Sequence, residues 1–103
     1  SQDNRKIQRN FEDIIVFYSD KKYNYCRTNN GEYKIKNKLY EVEKYSQDLI
    51  RISKSCIINI NHATSFDMEE KGKIVVILDD NTKEIVSRRK IKEVIKFLDE
   101  RGI

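Results

Sequence analysis

The stretch LIRISKSCIINI, residues 49–60, carries the pattern that decides the fold. It contains two runs of mostly branched apolar residues, 49–52 and 56–60, and a polar, basic cluster at 51–55 joins the first run to the second. Branched side chains fit the pleated surface of a sheet, so both runs predict strands. A single helical turn is also compatible with the opening of the second run.

Further strand candidates, divided by turn residues, lie on both sides of this stretch. Asn29-Asn30-Gly31 predicts a hairpin turn, because Asn and Gly tolerate the positive φ angles of such turns. The run at 73–78 is apolar after Lys73, which predicts a central strand covered on both faces. The remaining candidates are residues 14–18, 23–28, 32–36, 63–68 and 82–86, with a further one at 6–9.

Two segments show helical periodicity. Residues 38–45 follow a suitable N-cap, Asn37, and residues 88–100 follow Ser87 and precede a helix-ending Gly102. The residues expected to face the core are Leu39, Val42 and Tyr45 in the first segment and Ile91, Val94, Ile95 and Leu98 in the second. The chain is therefore expected to be mainly β, with a short middle helix and a longer C-terminal helix.

The chain of 103 residues suffices for one domain, 1–103, with residues 1–4 read as a linker or tag remnant. Apolar residues make up 38% and charged residues 37%, so a small core and a highly charged surface are expected. The longest apolar run, 74–78, is far shorter than the roughly 20 residues of a membrane span. With no basic-then-apolar leader, the sequence predicts a cytoplasmic protein without a membrane segment.

Catalytic, metal and cofactor sites are not expected. The chain has one histidine, His62, and two cysteines, Cys26 and Cys56, with neither a CxxC pair nor a glycine-rich phosphate loop. A zinc site needs more such ligands, and free cysteines commonly act as small buried hydrophobes. The sequence therefore predicts no enzyme, no metal site and no cofactor.

Positive charge is concentrated in three clusters of a chain with a net charge of +4. They are residues 21–24, 51–55 and 87–90. The third opens a predicted helix, where the positive end of the helix dipole disfavours the cations Arg88, Arg89 and Lys90 unless an anion binds there. Each cluster alone is more simply a solvated turn, but together they favour binding to a phosphate backbone.

The stretch 49–59 resembles the signature of the LytTR family of bacterial DNA-binding domains, Phe-x-Arg-x-His-Arg-Ser-Tyr-x-Val-Asn. Segments 13–17, 39–43 and 87–91 resemble other parts of the family pattern in the same order, so the resemblance covers about residues 11–100. The signature is matched outright by Arg51, Ser55 and Asn59, and by type by Leu49, Lys54 and Ile58. The motif histidine and tyrosine are Ser53 and Cys56 here, so the preferred base sequence is not inherited.

The resemblance implies an elongated fold of small antiparallel sheets whose loops enter the major grooves of double-stranded promoter DNA. It also implies the output domain of a transcription regulator, a two-component response regulator with an upstream receiver domain, and pairing of copies on repeated sites. Carried over by position, the contacts with bases fall on Asn24, Lys54 and Arg89. The supporting residues, some of them close to phosphates, are Lys22, Tyr23, Arg51, Ser55, Arg88 and Lys90.

Two other functions are compatible with the same residues. A protein-interaction module would use the same basic surface, with Tyr18, Tyr23 and Tyr40 as exposed anchors. Single-stranded RNA binding would stack bases on Tyr23, Tyr25 and Tyr33, although these rings also suit a small core.

The DNA-binding hypothesis makes one geometric demand. Asn24, Lys54 and Arg89 lie far apart in the sequence. They must nevertheless meet on one electropositive ridge if they are to contact the same duplex.

Overall fold

A computed structural model describes residues 10–103, which form two antiparallel sheets and two short α-helices. The strands are β1 (Ile14–Asp20), β2 (Tyr23–Thr28), β3 (Gly31–Ile35), β4 (Leu49–Ser53), β5 (Cys56–Asn59), β6 (Ala63–Asp67), β7 (Val75–Leu78) and β8 (Lys83–Ile85), and the helices are α1 (Leu39–Val42) and α2 (Ile91–Glu100). One sheet has the order β3-β2-β1-β5-β4 and the other β6-β7-β8. The extents of 46 × 23 × 22 Å confirm the expected elongated, mainly β fold.

The five-stranded sheet is covered on both faces, which gives the protein two cores. Helix α1 covers one face through Leu39 and Val42, which pack with strand residues such as Phe17. The three-stranded sheet and α2 cover the other face. A bulge in β1 turns both Ile15 and Val16 toward this second core, since an extra residue in one strand locally breaks the alternation of sides.

The start of α1 differs from the sequence prediction. Lys38, and not Asn37, is the N-cap, and its N–H donates to the carboxylate of Glu41 at 2.7 Å. The side chain of Asn37 instead donates to the hydroxyl of Tyr45. The helix ends at Val42, so Tyr45 lies beyond it and is exposed, contrary to the prediction that it faces the core.

The start of α2 also differs. Residues Arg88–Lys90 form a separate 3-10 turn, and Ser87 makes no side-chain capping bond. The first turn of α2 carries an acidic residue, Glu93, whose carboxylate lies 3.5 Å from the Lys90 ammonium. The basic residues therefore precede the first turn of the α-helix, with Lys90 as its N-cap, and do not lie within that turn as predicted. Gly102, with a φ of 72°, follows the helix end as predicted.

Three core predictions need correction. The strand predicted at 56–60 ends at Asn59, and its 3-10 turn, Ile60–His62, follows the strand and does not open it. Strand β7 is central in its sheet, but Val75 and Ile77 are only half-buried, so one of its faces is not fully covered. Ile95 is largely exposed on α2.

The strand candidate at residues 6–9 lies outside the described part of the chain. Within residues 10–103, neither helix has the length and apolar composition needed to cross a membrane.

Asn59 provides a test of how the cores are joined. Its side chain is 1% exposed, donates to the Ile14 carbonyl at 3.0 Å and accepts from the Asn61 N–H at 3.1 Å. Asn59→Ala leaves these groups without their partner, so we expect it to lower the free energy of unfolding by about 2 kcal/mol in urea titrations. Asn29→Ala, in an exposed turn, should change it by less than about 0.5 kcal/mol. Equal losses in the two variants would contradict this role.

Candidate nucleic-acid interface

The β1–β2 and β4–β5 turns lie side by side at one end of the five-stranded sheet. Strands β1 and β5 are antiparallel neighbours, with Tyr18 opposite Cys56. Beyond this pair the Ser19 N–H donates to the Ser55 carbonyl at 2.9 Å. Because adjacent strands are about 4.8 Å apart, the centres of the two turns are about 10 Å apart.

The 3-10 turn Arg88–Lys90 is held at the same end of the sheet. The Ser87 N–H donates to the carbonyl of Ile52, a fully buried residue of β4, at 2.8 Å. One residue earlier, the Val86 N–H donates to the Ile74 carbonyl at 3.0 Å. We call the three turns, residues 21–22, 54–55 and 88–90, the basic end.

The side chains at the tips of the basic end point into solvent. Lys21, Lys22, Lys54, Arg88 and Arg89 are exposed, as is Ser55. Within residues 10–103, these five cationic side chains form no hydrogen bond or ion pair, whereas Lys90 is half-buried and lies beside Glu93. Five charges are therefore available to an external anion.

Arg51 is engaged within the fold. Its guanidinium contacts the Glu43 carboxylate at 2.8 Å and also donates to the carbonyls of Ser53 and Lys54. These bonds fix the β4–β5 turn to the segment after α1. Arg51 thus holds Lys54 in place, and Glu43 neutralises much of its charge.

Asn24 is half-buried at the start of β2. Its side-chain Nδ2 donates to the Asn37 carbonyl at 2.8 Å, on the face of the sheet that α1 covers. A bidentate contact with adenine uses the amide oxygen and one N–H. Asn24 can make that contact only with its second N–H while it holds Asn37.

The tyrosines do not form one stacking surface. Tyr18 and Tyr25 stack on each other with ring centroids 5.3 Å apart, and Tyr33 packs against the core on the opposite face of the sheet. Tyr23 is exposed, and the Lys34 ammonium lies 3.6 Å from its ring centroid. Tyr23, Tyr25 and Tyr33 therefore offer no continuous platform to single-stranded RNA.

A further basic segment, which the sequence patterns did not predict as part of the site, lies near this end. Ile35, at the end of β3, lies opposite Asn24 in β2, so residues 34–38 return to the β1–β2 turn. The segment carries Lys34, Lys36 and Lys38. The hairpin turn at 29–31 was the signal, because a hairpin brings the end of its second strand beside the start of its first.

Acidic side chains gather toward the opposite end of the five-stranded sheet. Asp13 precedes β1 and Asp48 precedes β4, and each of these strands runs toward the basic end. Arg27 binds Asp80 at 2.7 Å there, and Arg101 binds Asp48 at 3.1 Å. Positive and negative charge are thus separated along the direction of the strands.

The cysteines are buried as predicted. Cys26 and Cys56 are 3% and 6% exposed, and burial, with the charge of Glu84, raises the pKa of Cys56 to about 12. The His62 ring contacts Asp79 at 2.7 Å and the Glu12 carbonyl. Among residues 10–103, no group of three or more His, Cys, Asp or Glu side chains is placed to hold a metal ion.

Comparison with known proteins places these features in one family. The family model for the LytTr DNA-binding domain matches residues 4–99. An uncharacterized HTH-type transcriptional regulator of Staphylococcus aureus strain NCTC 8325 / PS 47 is 37% identical over 86 residues, which cover 82% of this chain and 58% of the relative. One from the bovine strain RF122 / ET3-1 is 37% identical over 83 residues, covering 80% and 56%. The chain thus spans less than two thirds of these relatives.

A solved structure has the same fold. It is described as the LytTr DNA-binding domain of a methyl-accepting/DNA response regulator from Bacillus cereus. The TM-score is 0.86 at 20% identity, with 95% of this chain and 92% of that chain covered. In residues 10–103, strands β4–β8 separate α1 from α2, so these two helices do not form a helix-turn-helix.

Glu84 of β8 lies near Arg27 of β2, where the two sheets meet, and its carboxyl makes the stability of the fold depend on pH. Burial raises its pKa, which nearby Arg27 opposes and Asp80 reinforces. A raised pKa means that the contribution of Glu84 to stability is complete below pH 4.5 and is lost as the pH rises. We expect Glu84→Gln to increase the free energy of unfolding at pH 7 and to leave it nearly unchanged at pH 4. Exposed Glu100→Gln is the control, and an equal gain at both pH values would contradict the assignment.

Proposed function

Because the chain belongs to the LytTR DNA-binding domain family, we propose that its basic end enters the major groove of duplex DNA and reads a specific sequence. One observation carries this proposal: two backbone hydrogen bonds, Ser19 to Ser55 and Ser87 to Ile52, hold three basic turns at one end of a sheet. Five cations at their tips lack a partner within the described chain.

The dimensions of the basic end suit a groove. The major groove of B-DNA is about 12 Å wide. The centres of the β1–β2 and β4–β5 turns are about 10 Å apart, from the spacing of strands in a sheet. Two strand-to-strand turns and the 3-10 turn before α2 form the tips of this end, so turns, and not an α-helix, would reach the bases.

The side chains divide into three roles in this proposal. Arg89 reads guanine, for which a guanidinium offers two donors, while Lys54 and Asn24 contact neighbouring bases. Arg51 positions the β4–β5 turn through its bonds to Glu43 and the turn carbonyls. The phosphate contacts fall to Lys22, Tyr23, Ser55, Arg88 and Lys90.

The proposal extends to the whole protein, of which this chain would be the output part. The Staphylococcus aureus relatives are named transcriptional regulators and are longer than this chain. The solved structure is described as part of a response regulator. We therefore place the chain in a cytoplasmic two-component response regulator with an upstream receiver domain, whose copies pair on repeats in promoter DNA.

Salt dependence tests whether the basic end contacts phosphates. Duplexes selected from a random-sequence pool would be titrated with the protein at rising KCl, using fluorescence anisotropy. The logarithm of the affinity should fall with log[KCl] by about 0.9 per phosphate contact. Arg88→Ala should reduce that slope by about 0.9 and leave the selected sequence unchanged. Lys83→Ala, at the other end of the molecule, is the control, and a flat wild-type response would overturn the proposal.

Arg89 tests whether the same end reads bases. We expect Arg89→Ala to relax the preference at one base pair, with about 1–3 kcal/mol of discrimination lost, in a repeat of the selection. A uniform loss of affinity for all DNA sequences would indicate that Arg89 contacts the phosphate backbone of the DNA and not a base. Unchanged DNA binding would favour the protein-interaction alternative, in which this surface docks an acidic partner.

A further inference from the structure

We propose that the β3 edge segment, residues 34–38, is a fourth DNA-contacting element that binds the phosphate backbone beside the groove. This inference rests on the proposed function and adds to it a surface outside the three turns. The segment contains three lysines and no acidic residue. It comprises the last two residues of the edge strand β3 and the three residues after it, and it lies beside the β1–β2 turn.

The backbone of the segment is fixed by its neighbours. Asn24 donates to the Asn37 carbonyl at 2.8 Å, and Asn37 donates to the Tyr45 hydroxyl. The Lys38 N–H donates to the Glu41 carboxylate at 2.7 Å. The backbone of the segment is therefore held in place before a ligand binds, so little backbone conformational entropy is lost on binding.

The side chains of the segment are directed to solvent. Lys34, Lys36 and Lys38 are all exposed, and within the described chain none forms an ion pair with an acidic group. Lys34 instead covers the ring of Tyr23, with its ammonium 3.6 Å from the ring centroid. That contact makes the segment continuous with the β1–β2 turn, so a duplex at Tyr23 lies close to Lys36.

The position of the segment indicates contact with the phosphate backbone of the DNA and not with its bases. In the strand order β3-β2-β1-β5-β4, β3 is three and a half strand spacings of about 4.8 Å from the centre of the β4–β5 turn, a distance of about 17 Å. That distance exceeds the roughly 12 Å width of a major groove. When the two turns occupy the groove, the lysines at the end of β3 lie over the phosphates on its flank.

The opposite flank has a different charge. Ile74, at the start of β7, is bonded to Val86, so the preceding β6–β7 connection lies beside the basic end on the side of the second sheet. This connection and the end of β6 carry three acidic residues, Asp67, Glu69 and Glu70, and two lysines, Lys71 and Lys73, with the Lys73 ammonium 3.8 Å from the Glu70 carboxylate. Three acidic and two basic side chains attract a phosphate backbone less than the three lysines of residues 34–38 do, so the duplex extends toward β3.

The test compares two double variants of equal charge. Lys36→Ala/Lys38→Ala removes the proposed contacts, and Lys83→Ala/Lys96→Ala removes two exposed lysines of β8 and α2. Both would be titrated against the selected duplex over a range of KCl concentrations. We expect the first variant to lower the salt slope by about 1.8 relative to the control, which corresponds to two phosphate contacts. The selected base sequence should stay the same.

A second measurement locates the contacts. Ethylation of single phosphates should interfere with wild-type binding on one flank of the site, and Lys36→Ala/Lys38→Ala should lose sensitivity there only. Equal slopes and equal interference patterns for the two variants would overturn the inference while leaving the proposed function intact. Failure of the wild-type chain to bind any duplex would overturn both.

Lysines at an edge strand also prevent it from pairing with another sheet. Protection of the β3 edge is therefore the competing explanation for these lysines, and it predicts a different result. If protection of the edge were the only role, Lys36→Ala/Lys38→Ala would self-associate in sedimentation experiments. Its DNA affinity and salt slope, measured on the monomeric fraction, would equal those of the control. That result would assign the segment to edge protection and overturn the phosphate contact.

Discussion

The arrangement of the basic end depends on two backbone hydrogen bonds, Ser19 to Ser55 and Ser87 to Ile52. The first continues the pairing of β1 with β5 into their turns, and the second attaches the start of the C-terminal region to β4. Backbone groups make both bonds, so they constrain where the turns lie and not which side chains the turns carry. The tips of the turns can therefore differ in sequence while their relative positions are kept.

Bringing cations together in this way has a modest energetic cost. Two unit charges 10 Å apart in water repel by about 0.4 kcal/mol, and salt at physiological strength screens much of that energy. The fold also places acidic groups, such as Asp48 and Asp80, toward the far end of the sheet, where Arg101 and Arg27 pair with them. What remains is an unbalanced positive potential at the turns, which a phosphate backbone would relieve.

Much of the fold could be predicted because strands and hairpin turns depend on the residue types within a few positions of the sequence. The β2 bounds agreed with the prediction, and the predicted hairpin turn at 29–31 is confirmed, since β2 and β3 pair antiparallel. The errors lie where a tertiary contact outweighs a local preference. Asn37 is a good N-cap by residue type, but Asn24 and Tyr45 engage it, and Glu41 caps the helix from within. In α2, Ile95 fits the apolar stripe, yet the core does not extend around the helix far enough to cover it.

The amino-acid sequence by itself determined the strands, the turns that divide them, the family resemblance and the positions of the cations beside the turns. Only the tertiary structure decided that these turns meet at one end, that Arg51 and Asn24 are already engaged within the fold, and that residues 34–38 return to the same end. The reason is the range of the interactions. Periodicity and turn chemistry act over a few residues, whereas cross-strand pairing and bonds such as Ser87 to Ile52 join residues that only the folded chain brings together.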